Sequence, residues 1–214
     1  TDAFIINTYL PAKAELKLQF ALGQIPQVWR CPLFEGGKTD PEQRKNLDLN
    51  YAHFEGFEKY VRWQLPEVLP ACYLEGYKNL VKAVEEMPWP KKPKFIFTSN
   101  AFDTEEIFKV WAASKVEQGV PYIVGQHGCN YATHVWEGGS GLWPEVAACD
   151  KFITWGWTTC EKEVPAFVFS NVGIKPRQFD NAGGLLLIES AKEPSIHNHD
   201  TYYEFSLYME EQFR

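Results

Sequence analysis

Short apolar runs alternate with segments of helical spacing along much of the chain, and the clearest example spans residues 94–128. KFIFTS begins this stretch as a strand, a helix follows to about Gln118, and Gly119 ends that helix. VPYIVGQHG (120–128) is then a second apolar run that leads into a glycine-rich turn. A strand, a helix and a strand in such close succession predict a right-handed βαβ crossover in a parallel sheet.

Further runs rich in β-forming residues predict strands before and after this unit. AFIINTYL (3–10) is followed by a helical pattern and then by the short run IPQVWRCP (25–32). Two later runs, DKFITWGW (150–157) and AFVFSNVG (166–173), predict two more strands. Alternating strands and helices favour parallel pairing, so we predict an α/β fold with a Rossmann-like, three-layer parallel sheet.

Residues 34–87, which lie between the first predicted strands and the βαβ unit, contain no clear strand pattern. Residues 34–50 are polar and rich in turn residues, which is typical of a surface excursion, and residues 51–87 have helical spacing broken at two prolines. We expect its aromatic side chains to contact the core or another helix; an exposed stripe that faces a ligand is the alternative. These side chains are Tyr51, Phe54, Phe57, Tyr60 and Trp63.

The pattern changes again near the C-terminal end of the sequence. Residues 174–183 contain proline, asparagine and glycine, as a linker does, and a new apolar run and an amphipathic helical pattern follow. We therefore predict a Rossmann-like domain over residues 1–173, a linker over residues 174–183, and the first strand–helix unit of a second α/β domain over residues 184–214. We expect the chain to be part of a longer protein.

The composition and net charge of the chain argue against several classes of function. The chain has 214 residues and a formal net charge of −7, which argues against non-specific nucleic-acid binding because that function needs a basic surface. A nucleotide ligand stays possible, since glycine-rich turns and helix N-termini bind phosphate without net positive charge. No apolar run approaches the length of about 20 residues that a transmembrane helix needs.

The cysteines indicate a reducing compartment. There are five of them, an odd number, and none forms a CxxC pair. We interpret them as free thiols of a cytoplasmic protein and predict no structural disulfide. They are Cys31, Cys72, Cys129, Cys149 and Cys160.

Candidate chemistry lies where the predicted strands end. His127 stands between two glycines after an apolar strand, and a side chain with a pKa of about 6.5 suits a general base or a phosphate-binding donor. Parallel strands end at one edge of a sheet, so we expect Asn100, His127 and Trp155 to lie together there. The alternatives are a histidine that only holds a turn and a tryptophan that belongs to the core.

The stretch YIVGQHGCNYATH, with TSNAFDTEEIFKVWAASKVEQGVPY before it and CDKFITWGW after it, resembles a family of bacterial surface-carbohydrate transferases. These proteins are associated with O-antigen and capsule loci, carry the pattern Y-x-x-G-Q-H-G-G-x-Y-G, and are longer than this chain. The family looks like GT-B glycosyltransferases, in which two Rossmann-like domains face each other. The QHG turn is also loosely similar to the W-H-G turn of teichoic-acid glycerophosphotransferases. Cys129 and Ala132 depart from the pattern, where glycines are usual.

The resemblance implies a set of site residues by position. The motif matches Gly125, Gln126, His127, Gly128 and Tyr131, with His127 as the catalytic residue. Beside the motif, we expect Ser99 and Asn100 to bind sugar hydroxyls and Trp155 to stack on a sugar ring. Glu137 is a candidate second acid/base group, with a solvated loop carboxylate as its alternative. His197 and His199 alternate as metal ligands sometimes do, but we predict no metal there, because no third ligand is near.

The resemblance implies transfer of a sugar or sugar-like unit from a nucleotide-activated donor to a bacterial surface glycan. The expected partners are therefore a nucleotide-sugar and a glycan acceptor, with no cofactor, no nucleic acid, and a place in the cytoplasm or peripheral to the inner membrane. Two alternatives stay open. One is a GT-B-like nucleotide-sugar epimerase, which needs no acceptor, and the other is a non-catalytic carbohydrate-binding or assembly module.

Overall fold

A parallel sheet lies at the centre of the computed structural model, which describes residues 2–47, 49–128, 131, 143–175 and 183–184. Its described strands are β1 (Phe4–Ile6), β2 (Ile96–Thr98), β3 (Tyr122–Gly125), β4 (Lys151–Thr154) and β5 (Glu163–Pro165). They lie side by side in chain order, and every neighbouring pair is parallel. This arrangement is a Rossmann-like α/β fold, so the predicted fold class is confirmed.

Seven helices in the described part of the chain connect or flank these strands. They are α1 (Ala12–Ala21), α2 (Pro41–Lys45), α3 (Gly56–Val68), α4 (Tyr77–Glu86), α5 (Ala101–Thr104), α6 (Glu106–Val116) and α7 (Pro144–Ala148). Short 3-10 turns occur at Tyr51–His53, Ala71–Tyr73 and Phe169–Asn171. None of the described helices combines the length and apolarity needed to cross a lipid bilayer.

Hydrophobic side chains are buried on both faces of the sheet, because successive residues of a strand point to opposite sides. Phe4 of β1 belongs to a large cluster that contains Leu80 of α4 and Phe108 of α6. Ile5, its neighbour in the chain, belongs to a smaller cluster against which Leu18 of α1 packs. Helices therefore cover both faces, which makes the fold the three-layer arrangement that we predict from the sequence.

Two of the predicted strands are wrong. Residues 25–32 form no strand, and the exposed fractions of Ile25 and Val28 are 81% and 77%, so β1 pairs directly with β2. Near the other end of the sheet, the strand lies at Glu163–Pro165 rather than at residues 166–173. Those residues instead include the turn Phe169–Asn171, which places the Phe169 ring in the smaller apolar cluster.

The aromatic residues of helix α3 also differ from the expectation. This helix, all of which is described, has no buried residue, and the exposed fraction of Phe57 is 80%. Tyr60 and Trp63 are exposed as well, and the three rings lie near one another along the helix. The assignment of these rings to the core is therefore wrong, and they form an exposed aromatic stripe.

The polar excursion before helix α3 is held by one buried ion pair. Arg44 Nε donates to Glu75 at 2.6 Å, and its other nitrogens donate to the carbonyls of Pro66 at 2.7 Å and Leu69 at 2.9 Å. The backbone N–H of Asp40 also donates to the Glu75 carboxylate at 2.8 Å. The Arg44 hydrogen bond, followed by that of Asp40, lowers the pKa of Glu75 to about 2.

Four of the five cysteines are described, and all four are free thiols. Burial, together with a hydrogen bond to Glu105, raises the pKa of Cys31 to about 12. Burial likewise raises the pKa of Cys149 to about 11. These two thiols stay protonated at neutral pH and are not nucleophiles there. Cys129 lies outside the described residues.

The first of two compact units of the chain is Thr1–Ile174, and it contains the whole described sheet. The second is Lys175–Arg214. The predicted linker (174–183) and the predicted strand–helix unit (184–214) lie almost entirely outside the described residues. The domain boundaries drawn from the sequence therefore stay predictions.

Candidate active site at the carboxyl edge of the sheet

The loops that carry the candidate residues leave the sheet at one edge. Thr98 at the end of β2 pairs with Val124 of β3, and Gly125 at the end of β3 pairs with Ile153 of β4. Because these strands are parallel and in register, the segments that follow them emerge side by side. Asn100, His127 and Trp155 therefore lie at the same edge, as we predict from the sequence.

His127 is half-buried in a ring of aromatic side chains. The centroid of its ring lies 6.4 Å from that of Tyr9, with the two planes 21° apart, and 5.8 Å from that of Phe102. On a third side, Tyr131 stands edge-on at 5.6 Å, and its hydroxyl oxygen is 2.9 Å from His127 Nε2. The other ring nitrogen, Nδ1, makes no hydrogen bond to any residue that the structure describes.

Tyr131 connects His127 to a carboxylate. The exposed fraction of Tyr131 is 3%, and its ring packs against Phe152 and Trp143. Its hydroxyl donates a hydrogen bond to Glu145, which lies in the first turn of helix α7. A line of hydrogen-bonded groups therefore runs from Glu145 through Tyr131 to the imidazole.

The loop after β1 forms a neighbouring wall of the site. Asn7 and Tyr9 have φ angles of 48° and 59°, a left-handed conformation that costs energy for residues other than glycine. Thr8 between them is buried and donates to Glu15 at 2.6 Å, which helps to hold this backbone. Asn100 Nδ2 donates to the Tyr9 hydroxyl at 2.9 Å. A cavity of about 340 Å³ is lined by Asn7, Tyr9 and Asn100.

Two of the predicted substrate-binding residues make hydrogen bonds within the protein. The Ser99 hydroxyl is buried and donates to the Thr8 carbonyl at 3.0 Å. Gln126 Oε1 accepts from the backbone N–H of Trp155 and from the indole N–H of Trp157, each at 2.9 Å. These bonds hold the loops of the edge together, and a binding role for either side chain stays a prediction.

The two glycines beside His127 differ in their surroundings. A Cβ on Gly125 would lie less than 3.0 Å from the Phe169 ring and from Ser99 Oγ, so only glycine fits at the end of β3. Gly128, by contrast, has no described atom within 4 Å of a Cβ position. The first glycine is therefore a packing requirement, whereas no described atom restricts the second.

Some of the predicted site residues lie outside the described residues. Glu137 is one of them, and its role as an acid/base group stays a prediction. His197 and His199 also fall there. Within the part of the chain that the structure describes, no three histidine, cysteine or acidic side chains cluster as metal ligands do.

The sequence analysis missed three residues of this site. Asn7 and Tyr9 directly follow β1, so the strand-end criterion that identifies Asn100 and His127 identifies them too once β1 is known to pair with β2. Glu145 gave no signal, because it lies beyond the segment that follows His127, in a short helix with no functional motif of its own. The structure brings Tyr9, Tyr131 and Glu145 around one histidine.

Comparison with known proteins identifies a family. A family model described as LIC12162 family transferase matches residues 1–214, which is the whole chain. A search of curated proteins found no match, and neither did a search of solved structures.

Proposed function

Because the chain belongs to the LIC12162 family of transferases, we propose that it transfers a sugar or sugar-like unit from a nucleotide-activated donor to a bacterial surface glycan. The observation that carries this proposal is the setting of His127. Its half-buried ring stands at the carboxyl edge of a parallel sheet, the usual place for ligands in α/β proteins, and its Nδ1 is free of hydrogen bonds to the described residues. A base in such a position accelerates transfer to a hydroxyl by taking its proton.

The reaction that we propose uses His127 Nδ1 as this base. Nδ1 takes the proton of an acceptor hydroxyl while the acceptor oxygen forms a bond to the anomeric carbon of the donor sugar. The bond from that carbon to the leaving phosphate oxygen breaks, and its electron pair goes to the phosphate. Atoms and charge balance without a cofactor.

The groups around the imidazole suit a sugar. The amide side chains of Asn7 and Asn100 line the cavity beside His127, and amides bind sugar hydroxyls as both donors and acceptors. The exposed ring of Tyr9 stands on the same wall and offers a face on which a sugar stacks. Trp155 is half-buried at the neighbouring strand end and is a second stacking candidate.

We place this activity in a GT-B architecture on the resemblance of the QHG turn and its flanking segments. In that architecture the described sheet belongs to the acceptor-side domain, and a second Rossmann-like domain binds most of the nucleotide. A glycan made from nucleotide-activated sugars places the enzyme in the cytoplasm or at the inner membrane surface. The surface-carbohydrate role follows from the same resemblance.

Replacement of His127 in the full-length protein tests the proposal. The assay offers a panel of nucleotide-sugars with and without acceptor glycans and follows product by mass spectrometry. We expect His127→Ala to lower kcat by about 10²–10⁴-fold, the usual contribution of a general base, while donor binding persists. His127→Gln keeps a hydrogen-bonding group without a base and should fail equally. His53→Ala, at an exposed histidine of a 3-10 turn, is the matched control.

The outcomes separate the alternatives. Near-normal activity of His127→Gln would reduce His127 to a hydrogen-bonding group and contradict the base role. Turnover of the nucleotide-sugar without acceptor would favour an epimerase. Glycan binding without turnover, and indifferent to loss of His127, would favour a non-catalytic module.

A further inference from the structure

The donor and acceptor roles of the Tyr131 hydroxyl indicate which nitrogen of His127 carries the proton. A tyrosine hydroxyl has one proton, and Tyr131 donates it to the Glu145 carboxylate, which as an anion only accepts. The Tyr131 oxygen then offers only a lone pair to His127 Nε2, 2.9 Å away. A bond at that distance needs a proton between the two atoms, so the proton belongs to Nε2.

We propose that Glu145 and Tyr131 are positioning residues that fix the tautomer of His127, with the proton on Nε2 and the lone pair on Nδ1. This inference rests on the proposed function only in assigning a use to that lone pair. It names Glu145, which no sequence motif marks, as the residue that sets which nitrogen is the base. The line Glu145–Tyr131–His127 orients the imidazole much as a carboxylate orients a catalytic histidine elsewhere, with a phenol interposed.

The same line stabilises the protonated ring. When Nδ1 takes the acceptor's proton, the Nε2 proton stays in place and donates more strongly to the Tyr131 oxygen. The Tyr131 proton in turn stays with its own oxygen, bonded to Glu145, so no second proton moves. The negative charge of Glu145 then lies two hydrogen bonds from the imidazolium, in a site where Tyr131 is nearly fully buried and therefore poorly screened by water.

Neighbouring rings hold the Tyr131 ring in place, so its hydroxyl oxygen has a defined position beside His127 Nε2. The ring packs against Phe152 of β4 with the ring centroids 5.2 Å apart, and against Trp143 just before helix α7, also at 5.2 Å. Phe102 and Tyr9 contact the imidazole from other sides and restrict its rotation. Neither of these two rings replaces the Tyr131 oxygen as the partner of Nε2.

Nitrogen-15 NMR of the histidine rings tests the proposal in the full chain without substrate, at a pH at which the rings are neutral. We expect His127 to show a single tautomer, with a protonated Nε2 and a bare Nδ1, while the exposed His53 averages over both. Tyr131→Phe keeps the packed ring but removes the lone pair. Glu145→Ala frees the Tyr131 proton to turn toward Nε2. In both variants the His127 shifts should move toward the averaged values of His53.

A matched control uses another tyrosine–glutamate pair among the described residues, in which Tyr73 donates to Glu106. Tyr73→Phe removes the same kind of bond from a tyrosine that makes no hydrogen bond to a described histidine, and it should leave the His127 shifts unchanged. A proton mainly on Nδ1 in the wild type would overturn the proposal, and so would unchanged His127 shifts in both site variants. Because the spectrum involves no turnover, this inference and the transferase mechanism fail independently of each other.

Discussion

Gly125 occupies the tightest position of the site, one residue before the turn that carries His127. A Cβ added to Gly125 would clash with the Phe169 ring and with Ser99 Oγ. Gly125→Ala should therefore lower the free energy of unfolding by about 1–3 kcal/mol, the usual cost of overpacking. Gly128→Ala is the matched control, because a Cβ at that position meets no described atom within 4 Å. Denaturant titration measures both, and equal losses would contradict this account of Gly125.

The residues of the site differ in how well the sequence predicts them. His127, Asn100 and Trp155 were predictable because each closely follows a strand that its apolar run makes evident. Tyr9 was not, since the apolar run at residues 3–10 places it inside a strand, whereas β1 ends at Ile6. Among the described residues, Glu145 reaches the site through Tyr131, and a contact of that kind is a property of packing.

Substitutions in helices α3 and α4 should differ in their effect on the free energy of unfolding. Phe57 of α3 is mostly exposed, so Phe57→Ser should change the free energy of unfolding by no more than about 0.5 kcal/mol. Leu80 of α4 is fully buried, and Leu80→Ala should cost about 2–5 kcal/mol through lost burial and the cavity left behind. Thermal and chemical denaturation measure both. A large loss in Phe57→Ser would mean that the aromatic stripe is covered in solution.

The ion pair that ties α2 to the segment after α3 predicts a pH dependence. The pKa of Glu75 is about 2 in the folded protein, below its usual value of 4.5, so its contribution to stability is present above pH 4.5 and is lost as the pH falls toward 2. Glu75→Gln should therefore be less stable than the wild type at pH 7. The difference should shrink between pH 4.5 and pH 2, as measured by denaturant titration across that range.

An exposed pair of similar type serves as the control for this experiment. Glu42 and Lys45 lie 2.8 Å apart with side chains exposed to 76% and 72%, whereas the side chains of Arg44 and Glu75 are each exposed to 8%. Water screens the exposed pair, so Glu42→Gln should stay close to the wild type at every pH. A pH-independent loss in Glu75→Gln would contradict the assigned shift in the pKa.

The two strands that were predicted wrongly from the sequence share one physical cause. The runs at residues 25–32 and 166–173 contain β-forming residues, but a strand also needs a partner backbone in register. β1 takes β2 as its neighbour, which leaves Ile25 and Val28 facing solvent. At the other end, the polar residue Glu163 pairs with Phe152 in place of the apolar run that follows. Residues that favour β-structure make a strand possible, and pairing with a neighbouring backbone decides whether the strand forms.

For the molecule as a whole, the GT-B proposal predicts weak binding of the donor. If a second domain holds most of the nucleotide, this 214-residue chain should bind a nucleotide-sugar weakly or not at all by isothermal titration calorimetry. A chain that also contains such a second domain is the reference under the same conditions. Micromolar affinity of the 214-residue chain itself would contradict the half-site arrangement and would place the donor site at the edge that carries His127.

The order of the strands also has a kinetic consequence. Residues 99–121, 126–150 and 155–162 connect β2, β3, β4 and β5 in turn, whereas the much longer segment of residues 7–95 separates β1 from its partner β2. Closing so long a loop costs more chain entropy, so we expect β1 to dock last during folding and to exchange its amide hydrogens sooner than β3 does in the native protein. Because Asn7 and Tyr9 follow β1, such an opening would release one wall of the site while the strand that leads to His127 stays folded.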